Sequence, residues 1–110
     1  VKILNSQRAV VDLKKLQDYC LSPKHSQGKH KAHVFESALN LTAEDSEELK
    51  NILLVAVQTY DATPTKQNEY GQSYIIDFTI TKADKQAVVR SAWIIRHEED
   101  FPRLTTCYVL

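Results

Sequence analysis

The sequence predicts an α+β domain with N-terminal helices packed on an antiparallel β-sheet, and three observations lead there. Apolar residues recur at helical spacing as far as about residue 60. Beyond residue 70 they alternate with polar ones, as on a half-buried strand. Helices followed by strands, rather than strands interleaved with helices, is the order of an α+β fold. At 110 residues the chain, residues 1–110, holds a single domain. Its composition, 43% hydrophobic and 25% charged with two Gly and three Pro, is that of a folded globular protein.

Each element follows from local chemistry. Asp12 is placed to cap a helix over 13–20, with Leu13, Leu16 and Cys20 at helical spacing and Ser22-Pro23 ending it. A polar loop from Ser22 to Gly28 leads to a second helix over about 29–39. Its apolar face is Ala32, Phe35, Ala38 and Leu39. Thr42-Ala43-Glu44-Asp45 forms a capping box in which Asp replaces the usual Glu or Gln, opening a third helix. Glu44, Asp45, Glu47 and Glu48 crowd its first turns, where the helix dipole favours them. Leu49, Ile52, Leu53, Ala56 and Tyr60 form the expected buried stripe.

Thr63-Pro64-Thr65 reads as a break before the strands. Tyr74, Ile76, Phe78 and Ile80 then alternate with Ser73, Asp77 and Thr79. Lys82-Ala83-Asp84-Lys85 connects this strand to a second over about 87–96, with Trp93 in the core, and a third covers about 103–109.

Fourteen basic and fourteen acidic residues cancel, which excludes a uniformly basic nucleic-acid coat but leaves room for a local patch. The longest apolar run, Ile52 to Val57, is far short of the roughly 20 residues of a membrane span. The chain carries no Met, even at position 1, and reads as a processed protein or a domain cut from a longer one. Its opening residues do not have the pattern of a signal peptide. Cys20 and Cys107 make neither a disulfide framework nor a zinc motif and read as free, partly buried thiols.

The local patch lies between Ser22 and His33, which holds three lysines, three of the four histidines and no acid. It sits at a loop-to-helix junction, where free N–H groups and the dipole attract anions. Imidazole, ammonium and a helix N-terminus together suit phosphodiester cleavage through an internal 2′-hydroxyl. Two rival readings remain: a solvated basic loop, and metal binding by His25, His30 and His33. Three nearby lysines and the lack of Cys, Asp or Glu in the segment oppose a cation.

The last strand offers a second cluster. Thr106 and Tyr108 share a face by the two-residue period, together with Leu104 and Leu110. Arg103 falls on the opposite face unless a bulge intervenes, and either reaches a phosphate or pairs with Glu98, Glu99 or Asp100. Nucleotide-binding glycine loops, serine-hydrolase elbows and zinc-protease motifs are absent.

Two runs carry a family resemblance. Lys15-Leu16-x-x-Tyr19 followed by Leu21-x-Pro23-x-His25-x-x-Gly28-x-His30-Lys31-Ala32-x-x-Phe35 resembles the C-terminal domains of contact-dependent growth-inhibition proteins and related polymorphic toxins. Tyr70-Gly71-Gln72, Trp93 and Pro102-Arg103-Leu104-Thr105-Thr106-x-Tyr108-Val109 resemble the same group. The resemblance implies a barnase/EndoU/colicin/RelE-like fold and a metal-independent ribonuclease toxin without cofactor, directed at RNA, in particular tRNA. It implies secretion or surface display on a larger protein, delivery to a target-cell cytoplasm, a cognate immunity protein and elongation factor Tu as a possible partner. The implied site residues are His25, His30, Lys31, Arg103, Thr106 and Tyr108. A histidine would serve as acid or base, Lys31 and Arg103 as phosphate clamps, and Thr106 and Tyr108 as donors. The alternatives are a non-catalytic binding or immunity-type module and a metal-dependent nuclease.

Overall fold

The computed structural model describes residues 1–110 and is an α+β domain, as the sequence predicts. Helix α1 opens as an α-helical turn, Leu13–Lys15, and winds on as a π-helical turn, Leu16–Cys20. Asp12 caps it, its carboxylate accepting from the Lys14 N–H at 3.0 Å. The wider final turn closes when the Leu21 N–H donates to the Leu16 carbonyl five residues back. Helix α2 spans Lys29–Leu39 and buries Ala32, Phe35 and Leu39. Asn40 ends it in the left-handed conformation (φ 55°), and the Leu41 N–H returns to the Phe35 carbonyl. The capping box forms, and helix α3 follows as Ser46–Thr59. Its buried stripe is Leu49, Leu53, Ala56 and Val57. Tyr60 lies past the helix end, exposed, and stacks on Phe78.

Four strands make an antiparallel meander in the order β1 (Thr63–Asn68), β2 (Gly71–Lys82), β3 (Lys85–Arg96) and β4 (Arg103–Val109). The expected break at Thr63-Pro64-Thr65 is instead the start of β1, whose six residues are all exposed. As an edge strand it needs only backbone pairing with β2, and an edge tolerates Pro64. Ala83 takes a left-handed conformation (φ 55°) in the turn joining β2 to β3.

Ile76, Phe78 and Ile80 of β2, Val89 and Trp93 of β3, and Leu104 and Cys107 of β4 form one core with the helices. Trp93 is fully buried, and its ring N–H donates to Ser91 Oγ, which donates in turn to the Ile76 carbonyl, both at 2.9 Å. Every polar atom of that buried chain is therefore used.

A bulge in β4 changes the expected strand faces. Leu104 pairs with Trp93 while Thr106 pairs with Ala92, so Thr105 is an inserted residue. Leu104 thus turns to the core, away from the face of Thr106 and Tyr108, and Leu110 is exposed. Arg103, Thr106 and Tyr108 instead sit opposite Ile94, Ala92 and Arg90, which alternate with the buried residues of β3. The inserted residue is what brings all three to one register face.

Candidate functional site along the edge of β4

The loop before α2 is built around one imidazole. His25 Nδ1 accepts from the N–H groups of Gln27 (3.0 Å) and Gly28 (3.1 Å), and its carbonyl accepts from Lys29 (2.9 Å). The ring meets Tyr19 edge-on, with centroids 4.7 Å apart. Gly28 packs so closely that a Cβ there would overlap the Tyr19 carbonyl oxygen. The N–H groups of Gln27, Gly28 and Lys29, which the sequence leaves free for an anion, are thus satisfied by His25. With Nδ1 an acceptor, the neutral ring carries its proton on Nε2. His25 then has that N–H available as a donor.

That ring lines an open groove of about 560 Å³ with Lys14, Lys15, Tyr19, Thr105 and Thr106, flanked by Asp12 and Asp18. Lys15 Nζ donates to the Thr105 carbonyl at 3.1 Å, fastening α1 to the bulge. Further along β4, Lys31 Nζ lies 4.5 Å from the centre of the Tyr108 ring, a cation–π contact. Tyr108 also neighbours Arg90, which holds Asp77 through two 2.9 Å bonds. The hydrogen bonds from Arg90 lower the Asp77 carboxyl below its ordinary range, and Asp77, then Tyr108, raise the guanidinium above its own.

Arg103 is taken by a carboxylate. Its Nε and Nη2 grip Glu99 at 2.8 and 2.7 Å, and the guanidinium lies over Phe101. The hydrogen bonding lowers Glu99 and raises Arg103. Of the two uses the sequence allows, ion pairing is the one adopted, so Arg103 is not a free clamp.

His30 stands apart. It lines a different cavity, of about 660 Å³, with His33, Lys29, Glu36, Thr42 and Glu44. His30 and His33 share a helix face as their spacing predicts, but His25 is not with them, and no three His, Cys, Asp or Glu side chains converge as a metal site. Of the residues expected from sequence, His25 and Thr106 come together in one groove, and Lys31 and Tyr108 meet beside it. His30 and Arg103 do not join them as free groups.

The expected set omits Lys15, Tyr19, Arg90 and Asp77. Lys15 and Tyr19 stand in the first resemblance motif and were legible there. Arg90 and Asp77 become neighbours only through the strand register.

No curated protein matches the sequence. A family model described as a domain of unknown function, DUF6883, matches residues 2–110, and the chain belongs to that family.

Proposed function

We propose that this chain is a toxin domain that cleaves RNA through the internal 2′-hydroxyl, with the edge of β4 as its phosphate-binding site. The observation that carries the reading is the gathering of donors from four elements along residues 105–108. These are Lys15 of α1, the His25 ring of the loop, Lys31 of α2, and the hydroxyl of Tyr108 on β4, the Thr106 hydroxyl being buried and not among them. As O2′ bonds to phosphorus and the P–O5′ bond breaks, charge accumulates on the phosphorane oxygens. Lys15, Lys31 and the Nε2 N–H of His25 meet that charge. Tyr108 supplies the proton to O5′, and the 2′ proton leaves to water. The reading assigns no metal or cofactor. Its wider parts rest on the resemblance alone: tRNA as the substrate, an immunity protein, elongation factor Tu, and delivery from a larger surface protein. No helix is long and apolar enough to cross a membrane.

One observation favours a second reading, a non-catalytic RNA- or protein-binding module. The single histidine beside β4 has its Nδ1 committed to the loop, and His30 is elsewhere. Incubating the purified domain with bacterial RNA in EDTA, resolved on a denaturing gel, separates the two. We expect discrete fragments, and a loss of about 100-fold or more in the Tyr108→Phe variant at unchanged melting temperature. RNA left intact by the wild type, with and without added Mg²⁺, overturns the catalytic reading; RNA retained but uncut establishes the binding one.

A further inference from the structure

β2 runs for twelve residues and β1 for six. β1 pairs with it only from Gly71 to Ile75, where Thr63 lies opposite, whereas β3 pairs along its whole length. From Ile76 onward β2 is therefore an edge of the sheet. The Ile76 carbonyl faces β3, where Ser91 Oγ donates to it at 2.9 Å. Because these groups alternate in direction along a strand, Asp77, Thr79 and Thr81 turn their N–H and C=O groups away from β3. No strand or side chain of the protein pairs with them. Thr79 and Thr81 line a groove of about 390 Å³ between β2 and α3. Phe78 and Ile80 form one wall, Ile52, Val55 and Tyr60 the other, and no charged residue lines it. Val55 and Tyr60 remain 63% and 43% exposed, although Leu53, Ala56 and Val57 beside them are buried. The charges that follow the groove residues in sequence, Asp61 and Lys82, are held in ion pairs with Lys2 and Glu48.

We propose that this groove binds an extended segment of another protein, which adds to the sheet beside residues 77–81 of β2, in line with β1. The segment's backbone continues the hydrogen-bond ladder, and every second side chain enters between α3 and β2. Those side chains are apolar and uncharged, to match walls that carry no charge. The site stops at Thr63 at one end and at the turn through Ala83 at the other, so about five residues fit. A contact of that length falls well short of the roughly 800 Å² a side that a stable dimer buries, which favours a linear segment over a second copy of this chain. β2 is separated from β4 by β3, and the inference is independent of any action on RNA.

Hydrogen exchange on the wild-type protein is the first test. The amides of Asp77, Thr79 and Thr81 should exchange about tenfold or more faster than those of Ile76, Phe78 and Ile80, which bond to β3. Selection from a display library of random short peptides should enrich sequences with uncharged apolar residues two apart. The leading peptide, made synthetically, should slow exchange at Asp77, Thr79 and Thr81. Thr79→Pro deletes one outward N–H and no bond to β3, and Val55→Glu puts a charge on the groove wall. Each should weaken the peptide about tenfold or more with little change in melting temperature. Slow exchange throughout residues 76–81 of the free protein, a selection without that pattern, or binding that neither variant weakens would overturn the proposal. So would protection that rises with protein concentration alongside a dimeric mass, the signature of a second copy. Exchange in the wild type, with and without the peptide, decides the question even if a variant fails to fold.

Discussion

β1 and β4 are the two outer strands of one meander, yet their edges are finished differently. β1 leaves all six residues exposed and relies on Pro64, Lys66 and a register shift between Pro64 and Gln67 to discourage pairing with another chain. β4 is covered. Val10 bridges Arg103, Lys15 binds the Thr105 carbonyl, and Lys31 lies over Tyr108. A covered edge holds side chains from several elements in fixed relation, which binding and catalysis require; a bare edge has nothing to hold them against.

Paired substitutions sharpen that contrast. Each edge depends on a glycine: Gly28 against Tyr19 beside β4, and Gly71 (φ 147°) against Ile95 where β2 begins. Alanine at either should cost about 3 kcal/mol in denaturant unfolding, because the added Cβ meets backbone. Hydrogen exchange should then divide them, with Gly28→Ala loosening residues 22–32 and Gly71→Ala loosening β1. Loss of protection at β1 in both variants would show that the two edges are not held independently.

His25 and His30 give a smaller, cleaner contrast. His25→Ala strands the N–H groups of Gln27 and Gly28 and should cost about 1–3 kcal/mol. His30, exposed, should change stability by no more than about 0.5 kcal/mol. Equal effects would show that the ring does not organise the loop.

The smallest effect is on acid stability. Glu99 is held below its ordinary value of 4.5 by Arg103, and Asp77 below 3.8 by Arg90. A depressed carboxyl contributes stability in full above its unfolded value and loses it as pH falls through the folded one. Unfolding free energy should therefore be level above about pH 5 from these groups and decline on acidification. Glu99→Gln should flatten part of that decline, modestly, because both ion pairs remain partly solvated.

Much of the fold was legible. The limits of α2 and the capping box before α3 follow from spacing and side-chain chemistry within a few residues. β1 was not, because Thr-Pro-Thr-Lys-Gln-Asn has no apolar residue to signal a strand and is held by the backbone of β2. The site was legible in part. The residue types of the basic loop point to anions, but a local pattern cannot distinguish an imidazole that clamps its own loop from one left free. Nor can it place the bulge at Thr105, which depends on contacts from Val10 and Lys15, some ninety residues away in sequence.

On the proposed reading, phosphate binds along β4 and not at the His30 cavity. Titrating ¹⁵N-labelled protein with a short RNA whose 2′-hydroxyls are methylated would map contact without cleavage. The amides of Lys15, His25, Lys31, Thr106 and Tyr108 should shift together with one affinity, while His33, Glu36 and Glu44 stay in place. Shifts confined to His30, His33 and Glu44, or no saturable shift at all, would contradict it.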